Sequence, residues 1–191
     1  YNYGCVVPRL TGGFQSLLTY KDFAFNFSLD YQHGGKFYSC SEYWGNYSGV
    51  LAPTAVVNDG GANVRDAVDD GGGIHVTGVS SVDGKTPVDM YVDAFTYFHQ
   101  FRSTRIAEPY IHSLSYIKLR ELSLGYNLPV KKWSFTRKYM QAASIAFIAR
   151  NPWLIYTAAK NFDPSEISLV YGEEGQLPPV RSYGLNLSFT F

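Results

Sequence analysis

Phe23-Ala24-Phe25-Asn26-Phe27-Ser28-Leu29-Asp30-Tyr31 is the stretch that decides how this chain folds. Phe23, Phe25, Phe27, Leu29 and Tyr31 hold one parity, and Ala24, Asn26, Ser28 and Asp30 hold the other. Unbroken alternation with a period of two reads as a β-strand, because successive side chains of an extended backbone point to opposite faces. One face is therefore aromatic and aliphatic, and the other is small and polar.

The pattern recurs on both sides of this stretch. The chain closes on Tyr183, Leu185, Leu187, Phe189 and Phe191 alternating with Ser182, Gly184, Asn186, Ser188 and Thr190. Residues 13–20 read as a partner strand, since Tyr20-Lys21-Asp22 is short enough for a tight hairpin. Residues 115–128 form another strand, with Leu122, Leu124, Tyr126 and Leu128 on one parity but Ile117 and Leu119 on the opposite one. A bulge near Arg120 explains that slip, because one extra residue reverses the parity beyond it. Pro129 ends the strand, residues 130–137 make a short basic connection, and residues 139–150 return with Ala143, Ile145, Phe147 and Ala149 on one parity.

Two long stretches, 34–111 and 151–179, separate these strands and are rich in Gly, Asp, Asn, Ser and Pro. Both exceed ordinary loop lengths. Asn58-Asp59-Gly60-Gly61 and Asp69-Asp70-Gly71-Gly72-Gly73 mark turns, and residues 74–79 read as a small strand. With no internal repeat and no interdomain linker, residues 1–191 are expected to be one piece of one domain.

Sixteen Lys and Arg balance sixteen Asp and Glu, which argues against a strongly basic nucleic-acid binder. Charged residues reach 17%, against roughly 25% in ordinary soluble domains, and aromatic residues also reach 17%. A hydrophobic share of 46% is sufficient for a core and excludes a disordered chain. No run approaches the roughly 18 apolar residues of a membrane helix, which leaves barrels open. The chain begins at Tyr1 with no charged and apolar leader after it, so a processed or partial chain is expected.

A soluble β-sandwich is the default reading of a two-faced sheet. Here the polar parity carries Ala, Asn, Ser and Asp in one strand and Ser, Gly, Asn and Thr in the other, rather than the many Lys, Glu and Arg of a water-exposed face, which suits a crowded interior. The unbroken apolar parity suits lipid. A strand of about nine residues at about 3.3 Å each, tilted by roughly 40°, rises about 23 Å, close to the apolar band of about 25 Å in an outer-membrane barrel. Tyr20, Phe23, Tyr126 and Trp133 at one edge and Tyr31, Tyr116, Trp153 and Tyr183 at the other are placed to form two interfacial girdles. With the C-terminus in the periplasm, both short connections fall inside and both long ones outside, as in outer-membrane barrels. Five strands do not close a barrel, and unpaired edges in hydrocarbon cost several kcal/mol per group, so a larger wall is expected.

Ser115-Tyr116-Ile117-Lys118-Leu119-Arg120-Glu121-Leu122-Ser123-Leu124-Gly125-Tyr126-Asn127-Leu128-Pro129 resembles the motif near the C-terminus of SusC/RagA-type TonB-dependent outer-membrane transporters. Leu10-Thr11-Gly12-Gly13-Phe14, Asn161-Phe162-Asp163-Pro164 and residues 180–191 resemble further family segments in the same order. The resemblance implies an all-β fold: an antiparallel transmembrane β-barrel segment, the last five or so strands of a barrel of about 22, with long extracellular loops. It also implies an N-terminal plug domain outside residues 1–191, energy supplied through TonB, and import of oligosaccharides or peptides across a Gram-negative outer membrane. A SusD-like surface lipoprotein would close over the mouth, with the two long loops facing that lid or the substrate. Ser182, Gly184, Leu187 and Phe189, with Phe191 last, resemble the signal by which the barrel-assembly machinery recognises a final strand. A terminal strand with a free edge suits such pairing.

Catalytic patterns are missing. His33, His75, His99 and His112 form no HExxH or His-x-His pair, and are read as loop histidines. Asp59, Asp66, Asp69 and Asp70 lack EF-hand spacing, which leaves a solvated loop as their reading. Gly71-Gly72-Gly73 is followed by no Gly-Lys-Ser/Thr, and no Gly-x-Ser-x-Gly elbow occurs. Cys5 and Cys40 have no CxxC spacing and form at most one bridge. No enzyme activity, metal or cofactor is therefore expected. Tyr43, Trp44 and Tyr47 in the first long stretch either contact a sugar or peptide substrate or pack the loop on the barrel rim. Two functions stay open: the wall of an importer, and a soluble extracellular β-sandwich that binds glycans through Trp44 and its neighbours.

Overall fold

The computed structural model describes residues 2–104, 106–135, 138–168 and 172–191. In chain order the elements are β1 (Leu10–Tyr20), β2 (Phe23–His33), β3 (Lys36–Tyr38), α1 (Cys40–Tyr47), β4 (Ile74–Val79), β5 (Pro87–Val92), α2 (Ala94–Thr104), β6 (Ile111–Ser113), β7 (Tyr116–Leu128), β8 (Ala142–Thr157) and β9 (Ser182–Thr190). The fold is all-β with antiparallel sheets, and it divides into two compact units. One comprises Tyr1–Phe37, His112–Tyr171 and Gln176–Phe191, and the other Tyr38–Ile111 and Gly172–Gly175.

The first unit is a five-stranded meander in the order β1-β2-β7-β8-β9. β1 and β2 join through Lys21 and Asp22 alone, with Lys21 at φ 53, the left-handed backbone that a two-residue hairpin requires. Pairing aligns the apolar parities into rows. Leu18 lies opposite Phe25, Phe25 opposite Leu124, Leu124 opposite Phe147, and Phe147 opposite Leu185. The next row, on the other face, is small and mixed: Thr19, Ala24, Gly125, Ala146 and Asn186.

The expected bulge is where the parity slip placed it. Ser28 pairs with Glu121 and Leu29 with Leu119, which leaves Arg120 without a partner on β2. Ile117 and Leu119 thereby join Leu122 and Leu124 on the apolar face, opposite Tyr31, Leu29, Phe27 and Phe25. That face stays open: Leu18 is 58% exposed and Leu185 71%.

Several bounds differ from expectation. β1 starts at Leu10, and β8 begins at Ala142 but continues to Thr157 through Asn151 and Pro152. Asn151 adopts φ 48, and the register against β7 shifts there, so these residues form an irregularity inside the strand rather than its end. Tyr116 is a correction to the girdle. It is 7% exposed and pairs with Gln32, on the polar parity of β2, so it faces away from the apolar side. Trp153, Tyr183 and Tyr31 of the same edge are exposed. At the other edge, Phe23 and Tyr126 bring their rings to 4.6 Å. In the basic connection, Val130–Lys132 forms a 3-10 turn, whereas Thr136 and Arg137 lie outside the described residues.

The second unit is more ordered than its Gly- and Asp-rich sequence suggests. The expected strand at Ile74–Val79 pairs with β5 as a hairpin. The two helices, α1 and α2, lie where the sequence pattern predicts only loop. Ser39 caps α1 by accepting the Glu42 N–H at 3.1 Å, and Asp93 accepts the Thr96 N–H at 2.9 Å at the start of α2. Phe98, Phe101 and Tyr110 form the core, with Tyr38, Tyr43, Ile74 and Tyr97 packed against it.

Candidate functional site

Tyr43, Trp44 and Tyr47 all lie on α1, within the second unit. Residues four apart share a helix face, so Tyr43 and Tyr47 stack with centroids 6.4 Å apart, while Trp44 meets them edge-on at 5.0 and 5.4 Å. The structure thus brings the three together. Their surroundings differ. Tyr43 turns inward against Tyr110 at 5.4 Å, whereas Trp44 remains 46% exposed.

α2 supplies the other half of this surface. The His99 ring lies 3.9 Å from Tyr47 and 3.7 Å from Phe95, and the Arg102 guanidinium sits 5.7 Å from both the Trp44 and Tyr47 rings. Beside them opens a cavity of about 460 Å³ lined by Asn46, Tyr47, Arg65, Asp93, Phe95 and His99, among others. Its charged members have internal duties. Arg65 donates to the Thr54 carbonyl at 2.6 Å and to the Gly49 carbonyl, bracing the floor, and Asp93 caps α2. Such a surface offers apolar and π contact to a ligand, with polar groups fixing its rim.

α1 is held from far along the chain. Glu173 accepts the Ser39 hydroxyl at 2.6 Å, the Ser41 hydroxyl at 2.7 Å, the Ser41 N–H at 3.2 Å and the Gly175 N–H at 2.9 Å. Burial alone would raise the proton affinity of this carboxyl. The hydroxyl and N–H donors outweigh it and hold Glu173 below the ordinary glutamate range. A carboxylate at this helix end also meets its unpaired N–H groups.

The first unit carries a charged cluster on its polar face. Lys118 is 1% exposed, with its ammonium 2.7 Å from Asp163 and 2.8 Å from the Ser165 hydroxyl. Arg120 pairs with Asp30 at 2.8 Å and Glu166 at 2.7 Å. The expected motif segment Asn161-Phe162-Asp163-Pro164 is thereby pinned to the wall, and Asp163 also caps the 3-10 turn Pro164–Glu166. Burial would raise the Asp163 proton affinity, but donation from Lys118 and Ser165 keeps it below the ordinary aspartate range. The sequence signal for this cluster was the bulge at Arg120. It leaves Lys118, Arg120 and Glu121 off the apolar face within four positions.

The candidate assembly residues lie on β9. Leu187 and Phe189 share the apolar parity with Leu185, opposite Ile145 and Ala143, whereas Ser182 and Gly184 lie opposite Arg150 and Ile148. Phe191 follows the strand and is exposed. Among the described residues β9 pairs with β8 alone, which leaves its other edge free. The sequence-adjacent acids do not converge. Asp69 and Asp70 lie in a 3-10 turn, while Asp59 contacts His75 and Tyr91. Among the described residues no group of three or more His, Cys, Asp or Glu could hold a metal ion. Both cysteines are free.

No protein-family model matches the chain, and no curated protein matches it. Solved structures do. A structure of the RagAB peptide importer in the closed-closed state aligns over 97% of this chain and 18% of that chain, with 18% identity and a TM-score of 0.60. Its open-open state aligns over 97% of this chain and 17% of that chain, with 18% identity and a TM-score of 0.55. A structure of the RagAB peptide transporter aligns over 97% of this chain and 18% of that chain, with 21% identity and a TM-score of 0.55. At these identities the likeness is one of fold, and the chain spans less than a fifth of the length of those proteins.

Proposed function

We propose that this chain forms the C-terminal barrel wall and extracellular loops of a SusC/RagA-type TonB-dependent importer of oligosaccharides or peptides in a Gram-negative outer membrane. The observation that carries the reading is the row Leu18, Phe25, Leu124, Phe147 and Leu185, apolar across five paired strands. Leaving such a surface in water costs about 25 cal/mol per Å² of apolar area, whereas acyl chains meet it without that penalty. A sandwich would bury these side chains beneath a second sheet, and their exposure speaks against it. The likeness in fold to RagAB importer chains supports the same conclusion.

In this reading the polar face lines the lumen, and transport is gated passage without chemistry or a cofactor. A SusD-like lipoprotein covers the mouth, TonB acts through the plug region outside residues 1–191, and the assembly machinery engages Ser182, Gly184, Leu187, Phe189 and Phe191. Of Tyr43, Trp44 and Tyr47, Trp44 is the residue exposed for substrate contact. Cell fractionation tests the proposal. The natural protein should sediment with outer membrane and require detergent, and a stable monomer in plain buffer would overturn it.

A further inference from the structure

The second unit holds one histidine between two carboxylates, and no part of the transport reading accounts for it. His75 on β4 places Nδ1 2.5 Å from Asp59 Oδ2 and Nε2 2.7 Å from Asp89 Oδ1. Asp59 belongs to the 58–61 turn, in which the Gly61 N–H donates to the Asn58 carbonyl at 3.1 Å. Asp89 lies on β5, two residues from Tyr91, which is the residue paired with His75. The Tyr91 ring stacks on the imidazole with centroids 4.7 Å apart and an angle of 14°. Its hydroxyl donates to Asp59 Oδ1 at 2.7 Å.

Ionised carboxylates only accept hydrogen bonds, and a neutral imidazole has a single N–H. Both contacts are hydrogen bonds together only when the ring is an imidazolium. Loss of that proton turns one ring nitrogen into a lone pair facing a carboxylate, so one contact becomes repulsive. We propose that Asp59, His75 and Asp89 form a protonation-dependent latch that tightens the 58–61 turn against the β4–β5 hairpin and loosens as the pH rises.

The groups facing His75 are Asp59 from the turn and Asp89 and Tyr91 from β5. Hydrogen bonds to Asp89 and then Asp59 raise the histidine above its ordinary 6.5. A raised value places the contribution fully on below about pH 6.5 and removes it as the pH climbs through the folded-state value. Release is local. The Tyr91 hydroxyl still donates to Asp59, and Asn58 stays tied to the Gly71 carbonyl at 2.9 Å and the Gly73 carbonyl at 3.1 Å.

Hydrogen exchange of the full-length protein in detergent, followed by mass spectrometry from pH 6 to 9 and corrected for intrinsic rates, tests the latch. In the natural protein, peptides spanning 56–62 and 74–92 should lose protection several-fold as the pH rises. His75→Gln, neutral throughout, should show low protection without that pH response. Asp89→Asn removes one of the two carboxylates that hold the imidazolium and should move the midpoint to lower pH. Protection constant across the range, a His75→Gln response matching the natural protein, or an Asp89→Asn midpoint left in place would each overturn the proposal. The Asp89→Asn comparison stands even if His75→Gln fails to fold.

Discussion

Ser39 and Glu173, separated by 134 positions, share a 2.6 Å hydrogen bond at the N-terminus of α1. Ser39 simultaneously caps the helix, so one hydroxyl serves both the local turn and a distant segment.

Glu173→Ala leaves the Ser39 and Ser41 hydroxyls without their shared acceptor and should destabilise α1 by about 1–3 kcal/mol, the cost of deleting the acceptor of a buried hydroxyl. Faster exchange of amides in 40–47 is the readout. The pH dependence follows from the lowered carboxyl. Its contribution is complete above the unfolded value near 4.5 and falls as the pH drops through the lower folded value. Protection of α1 that does not change between the natural protein and Glu173→Ala at neutral pH would refute the role.

Lys118→Met strands Asp163 without its cation and should cost about 3–5 kcal/mol, because breaking a buried pair is dearer than removing it whole. Lys118→Met with Asp163→Leu should recover much of the loss. Urea midpoints of the detergent-solubilised protein compare the two, and equal midpoints for single and double variants would contradict the buried-pair account.

Leu185 and Asn186 are neighbours on β9 with opposite faces. Leu185→Arg should lower the amount of assembled protein in the outer membrane, since a charge on the lipid face costs about 2–4 kcal/mol near the bilayer midplane. Asn186→Arg, on the opposite, polar face, should be tolerated. Equal loss from both would mean that the open apolar face does not meet lipid.

Phe191→Asp should reduce barrel assembly through the free edge of the last strand. Folded protein at normal abundance would remove the signal reading from these residues.

Trp44→Ala removes an exposed ring while leaving the inward-facing Tyr43 in place. Uptake should fall several-fold with surface abundance unchanged. Unaltered uptake would reduce the aromatic cluster to a packing role.

The wall was legible because period-two alternation is a local property. Phe23 to Tyr31 announced their strand residue by residue, and the parity slip between Leu119 and Leu122 located the bulge at Arg120. The helices were not legible in the same way, because both lie in a Gly- and Asp-rich stretch that masks periodicity. The Ser39-Cys40-Ser41-Glu42 pattern, a Ser three residues before a Glu, is the local feature that could have marked the start of α1 and is not among the motifs read above. Tyr116 faces away from the girdle because it directly precedes Ile117, which the bulge at Arg120 puts on the apolar face, and neighbouring strand residues point to opposite sides.

The order of apolar and polar residues, by itself, determined that the chain makes a two-faced antiparallel wall, since alternation acts through the geometry of a single extended backbone. Only the tertiary structure decided that Glu173 caps α1, that Asp163 neutralises Lys118, and that His75 stands between Asp59 and Asp89. Those contacts join residues between 14 and 134 positions apart. Their strength comes from distances and burial that exist only once the chain has closed its loops, so no local pattern carries them.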